Sequence, residues 1–77
     1  MFLKVPWENG MRVSFDPEVD ALYVRLDEAR IKDSAEVLPG IIVDFNDEDQ
    51  VVGIEVLRAS KTLTPEVFRQ AIAAAER

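Results

Sequence analysis

Fifteen residues of this 77-residue chain are Asp or Glu and none is His or Cys, so any chemistry it performs must run through carboxylates, hydroxyls or amines. Carboxylates gathered on a sheet face can share a proton, one acting as general acid while its neighbour stays ionised as base. Asp16, Asp20 and Glu55, with Tyr23, are the candidates for such a site. They define one reading of the chain, a minimal carboxylate-dependent enzyme working with a divalent cation. The same residues have quieter uses. Asp16 and Asp20 flank Pro17 in a turn, where short acids bond nearby backbone amides, and Glu55 on an outward strand face could pair with Arg25 across the sheet. Ser14, Ser34, Ser60 and Thr62 have no His to activate them, so a conventional nucleophile–base pair is missing.

The densest oxygen cluster is Asp44, Asp47, Glu48 and Asp49. A calcium loop needs alternating acids, a central Gly and a distant Glu; none of that spacing is here, so the cluster reads as a solvated turn. Without Cys or His the usual structural zinc ligands are missing too. No metal site and no cofactor is expected. Nine Lys and Arg against the fifteen acids give a net charge of -6, which repels phosphate backbones. A DNA-contacting role would require Arg12, Arg25, Lys32 and Arg58 to share one face, so nucleic acid is not the expected partner. An acidic surface keeps a protein soluble and also suits a basic protein partner.

These side chains are positioned by a short series of strands and a terminal helix. Met11, Val13 and Phe15 alternate with Arg12 and Ser14 as a first strand, and Asp16 to Asp20 reverses the chain. Ala21 to Leu26 is a second strand, with Leu22, Val24 and Leu26 inward and Tyr23 and Arg25 outward. Ile31, Ala35 and Val37 share a parity that Asp33 interrupts, which suggests an edge strand. After the Pro39-Gly40 corner, the run Ile41 to Phe45, the polar tip Asn46 to Asp49 and the run Gln50 to Leu57 make a long hairpin. Gly53 in mid-strand marks a bulge or a close packing contact. Ile42, Val51 and Leu57, with Tyr23, would leave the outer face of the hairpin needing cover, which a second subunit could supply. Thr64-Pro65-Glu66 is a helix start, since Thr64 caps an orphan amide, Pro65 suits the first helical position and Glu66 complements the dipole. Val67, Phe68, Ala71, Ile72 and Ala75 then recur at helical spacing and form a stripe toward the sheet, and Arg77 complements the negative end.

The fold predicted is α+β: a small antiparallel sheet of four or five strands with one C-terminal helix packed on one face. Residues 11–77 form one domain, and residues 1–10 are an N-terminal extension or a mis-called start. A chain this short hides only roughly 60% of the surface its unfolded form exposes. Disulfides and zinc being excluded, self-association is the staple left, and a homodimer or higher homo-oligomer is expected. No membrane span or signal peptide is legible, which points to the cytoplasm.

The segments Met11-Arg-Val-Ser-Phe-Asp16, Asp20-Ala-Leu-Tyr-Val-Arg-Leu26, Gly40-Ile-Ile-Val-Asp-Phe45 and Val52-Gly-Ile-Glu-Val-Leu-Arg-Ala-Ser60 resemble the prokaryotic domain of unknown function 2283 family. The resemblance spans Met11 to Ser60, about two-thirds of the chain. It implies a compact antiparallel sheet with a helix, no established activity, and a suspected role as the neutralising half of toxin–antitoxin-like gene pairs. Members usually carry Gly near the hairpin tip, where this chain has Asp49, and tend to begin at the residue matching Met11. If the preceding residues are native, Phe2, Leu3, Val5 and Trp7 form a sticky arm suited to docking. The reading adopted is therefore a small acidic interaction domain, non-enzymatic and homo-oligomeric, an antitoxin-like neutraliser of a basic protein partner. The carboxylate enzyme is its rival.

Overall fold

The structure is a computed structural model that describes residues 11–76. The N-terminal arm with Phe2, Leu3, Val5 and Trp7, and the terminal Arg77, lie outside the described residues. Five strands are followed by two helices: β1 (Arg12–Asp16), β2 (Ala21–Arg25), β3 (Asp33–Leu38), β4 (Ile41–Phe45), β5 (Val51–Val56), α1 (Ala59–Thr62) and α2 (Pro65–Ala75). All neighbours pair antiparallel in the order β1-β2-β5-β4-β3, so the segment read as an edge strand is an edge, and the central hairpin joins β4 to β5. The predicted α+β class holds, with one addition: the single turn of α1 precedes the expected terminal helix.

The turns follow from short polar side chains that bond their own backbone. Asp16 Oδ1 accepts from Glu18 N–H at 3.0 Å between β1 and β2, while Gly40, at φ 84°, turns the corner between β3 and β4. At the β4–β5 tip, Asn46 Oδ1 accepts from the N–H groups of Glu48 and Gln50, both at 2.9 Å. Asp49 sits there at φ 61°, in the left-handed region. This answers the question raised by the absence of Gly: Asp tolerates that conformation better than most side chains, with some strain.

Pairing sorts the sheet into rows that cross all five strands. Two inner rows are wholly apolar: Ala35, Val43, Ile54, Val24 and Val13 in one, and Leu38, Ile41, Val56, Leu22 and Phe15 in the other. Leu22, Val56 and Ala59 are the buried heart of the cluster on this side. α2 is held there by Phe68, whose ring meets that of Phe15 edge-on with centroids 5.5 Å apart. Its start is as read: Thr64 Oγ1 accepts from Val67 N–H at 3.2 Å and Pro65 opens the helix. Its apolar stripe differs from expectation, because Val67 is 49% exposed and no residue of α2 is fully buried. The helix packs mainly along β1. No helix among the described residues is long and apolar enough to cross a membrane.

Candidate functional site

The two outer rows place polar side chains together. One runs Ser34, Asp44, Gly53, Arg25 and Arg12, and the next runs Glu36, Ile42, Glu55, Tyr23 and Ser14. Strand alternation puts these residues on one face, and the antiparallel pairings bring together strands that are distant in sequence. Gly53 is the key to the arrangement. The tip of the Tyr23 ring lies over its bare backbone, so that a Cβ there would collide with Tyr23 and come within 2.8 Å of Asp44 Oδ2. In the space this opens, the Tyr23 hydroxyl donates to Asp44 Oδ2 at 2.6 Å and the Ser34 hydroxyl donates to Asp44 Oδ1 at 2.6 Å. Asp44 is thereby buried, at 8% exposure, with a hydroxyl donor on each oxygen.

Arg25 continues the network toward β1. Its Nη2 donates to the Ala29 carbonyl at 2.5 Å, which ties down the connection from β2 to β3, and its Nη1 donates to the Tyr23 hydroxyl at 3.4 Å. Its Nε is buried with no partner among the described residues. Burial, and then the bond to Asp44, push the Tyr23 phenol above its ordinary value of 10.0, because both disfavour a phenolate beside a carboxylate. The Tyr23 hydroxyl and the neighbouring acids raise Arg25 as well, so it stays cationic. This is the chemistry of a locked hydrogen-bonded cluster, with a neutral phenol, a fixed cation and a fully engaged carboxylate.

The sequence candidates are divided by the fold. Asp16 and Glu55 line one open depression with Ser14, Val19 and Tyr23. Asp20 is used elsewhere: its carboxylate accepts from the Ser60 hydroxyl at 2.5 Å and from Ser60 N–H at 3.1 Å, and its carbonyl accepts from Ala59 N–H at 2.8 Å. It thus caps α1 from 40 residues away, where the residue preceding that helix, Arg58, offers no side-chain cap. No hydrogen bond among the described residues joins any two of Asp16, Asp20 and Glu55. Glu55 stands opposite Tyr23 and Ile42, while Arg25 stands opposite Gly53, so the expected Glu55–Arg25 pair is not made.

The four residues named as a possible subunit interface are dispersed too. Tyr23 and Ile42 flank Glu55 in one row, Val51 lies beyond a register shift at the far end of β5 and is 46% exposed, and Leu57 follows β5 half-buried. The outer face of the hairpin, expected to be apolar, is polar except at Ile42, and its weakest point, Gly53, is covered from within by Tyr23. Among the described residues there is no cluster of three or more side chains suited to a metal ion, and Asp44 is drawn away from the acidic tip by Tyr23 and Ser34.

The family described as protein of unknown function (DUF2283) matches residues 12–60. The chain belongs to that family. The match runs from β1 to Ser60, and α2 lies outside it. No curated protein and no solved structure gives a significant match. The fold gives the matched words a physical meaning. Tyr23 of Asp20-Ala-Leu-Tyr covers Gly53 of Val52-Gly-Ile-Glu-Val-Leu-Arg-Ala-Ser60, and Asp20 of the first segment accepts from Ser60 at the end of the second. The Gly53 contact was half legible, since a mid-strand Gly points to close packing. The Asp20–Ser60 bond and the clamping of Asp44 by Ser34 gave no local signal, because each depends on strands brought together by the pairing.

Proposed function

We propose that this protein is a non-enzymatic, acidic interaction domain that acts as a homo-oligomer and binds a basic protein partner in an antitoxin-like manner. The observation that carries the reading is the open end of the sheet. Every residue of β3 is exposed, including Val37 at 51% and Leu38 at 63%, whereas the fully buried apolar residues among those described are Leu22, Val52, Val56 and Ala59. A sheet that leaves one strand bare on both faces is a template for another chain. The internal engagement of Tyr23 and Asp44 in each other, and of Asp20 in Ser60, weighs against a catalytic use of these groups. The net charge of -6 suits a basic partner.

Sedimentation velocity of the full chain at micromolar concentration tests the first half, with a dimer or larger assembly expected and a clean monomer overturning it. Isothermal titration with the purified product of the adjacent gene tests the second. Expected is saturable binding that weakens as salt rises, and no heat at low salt would remove the partner reading.

A further inference from the structure

We propose that the open edge of β3 is the self-association surface, and that two copies join edge to edge, antiparallel, about a two-fold axis at Ser34, so that Lys32 of each copy faces Glu36 of the other. The inference rests on the self-association reading above and names its surface. β3 ends the sheet, its side away from β4 has no strand partner among the described residues, and α2 packs mainly at the opposite edge. Such an edge takes another strand through its free backbone groups, and the side chains choose the register.

Four residues fall within the regular part of the strand. A two-fold at Asp33 or at Glu36 would set that carboxylate against its own copy, and one at Ala35 would set Lys32 against Leu38. A centre at Ser34 places Lys32 opposite Glu36 twice, with Asp33 opposite Ala35 and the apolar Ile31 and Val37 at the ends. Ile31 and Val37 are both exposed, at 38% and 51%. Lys32 takes part in neither ion pair found among the described residues. Glu36 uses Oε2 to accept from Gly40 N–H at 2.9 Å, and its other oxygen forms no hydrogen bond among the described residues. The register shift after Glu36 ends the regular edge there, which limits pairing to this short segment and disfavours open-ended stacking.

The test is sedimentation of the full chain as wild type, Lys32→Glu, Glu36→Lys and the double swap, with circular dichroism to establish folding. Each single swap creates two like-charge pairs and should weaken the dimer about ten-fold, and the double swap should return it to near the wild-type value. A wild-type dimer indifferent to both single swaps would overturn the β3 register while leaving self-association standing elsewhere. A wild-type monomer would overturn both. Ser34→Cys supplies a readout independent of charge: the chain has no other thiol, and mild oxidation should give a disulfide-linked dimer across the two-fold. A folded Ser34→Cys chain that fails to cross-link would also sink the proposal.

Discussion

The same inner row of the sheet has two different ends. At one, Phe15 on β1 meets Phe68 of α2 edge-on, and the neighbouring turn is tied to α1 through Asp20 and Ser60. At the other, Leu38 on β3 belongs to the same apolar row and is 63% exposed. Both end strands add an apolar side chain to that row, although Asp33 and the register shift after Glu36 interrupt the alternation of β3. What differs most is supply: the described residues hold one long helix, eleven residues of it, and that helix packs mainly along β1. A helix is about 10 Å wide and covers about two strands, so a five-stranded sheet with a single such helix keeps a bare flank. The outer face shows a second way of covering a sheet, in which one Tyr side chain laid over one Gly shelters a carboxylate without any added layer.

The largest effect should come from breaking that shelter. Gly53→Ala inserts a methyl group where Tyr23 and Asp44 already meet, displaces the hydroxyl from the carboxylate, and is expected to destabilise the fold by about 2–4 kcal/mol in urea unfolding. Next comes the contrast between the two ends. Phe68→Ala should lose about 2 kcal/mol, since it removes a half-buried ring and its aromatic partner contact, whereas Leu38→Ala should change the stability of the isolated subunit by less than about 0.5 kcal/mol. Equal losses at the two positions would mean that both ends are covered alike. Asp20→Ala should lose about 1–2 kcal/mol by uncapping α1, more than Asp16→Ala, whose acid serves only its local turn.

A pH experiment sharpens the picture of the outer face. The Tyr23 phenol is raised in the folded chain, so its contribution to stability is complete below the unfolded value of about 10 and is lost as pH rises through the higher folded value. The stability advantage of wild type over Tyr23→Phe should therefore be flat from pH 7 to 9 and shrink above pH 10. An advantage that grows in that range would contradict the assignment of Tyr23 as donor to Asp44. A small gain is expected at the hairpin tip, where Asp49→Gly relieves a left-handed Asp and should raise stability by about 0.5 kcal/mol.

Much of the fold was legible because it is written in short-range terms. Val13 and Phe15, Leu22 and Val24, and Ile54 and Val56 alternate with polar neighbours as strands on one core must, and Thr64-Pro65 starts α2 where capping chemistry requires. The candidate site was less legible. Asp16, Asp20 and Glu55 could be picked out as acids, but whether they meet depends on pairings between strands far apart in the chain. The one-turn helix α1 was missed for the same reason: its cap, Asp20, lies 40 residues upstream, so no local cap motif announces it. The outer face of the hairpin looked apolar when Ile42, Val51 and Leu57 were counted along the sequence, and polar once pairing set Glu55 and Asp44 among them.

By itself, then, the sequence determined the strands, the terminal helix, the narrow range of side-chain chemistry and the inward faces of every strand but β3, where the register shift after Glu36 puts Leu38 in place of Val37; these follow from periodicity, turn residues and the lack of His and Cys. Only the tertiary structure decided that Gly53 lies under Tyr23, that Asp44 is clamped by two hydroxyls, that Asp20 caps α1 and that β3 is left bare. These are contacts between segments distant along the chain, and they depend on strand order and on where the one long helix can reach, neither of which local residue patterns encode.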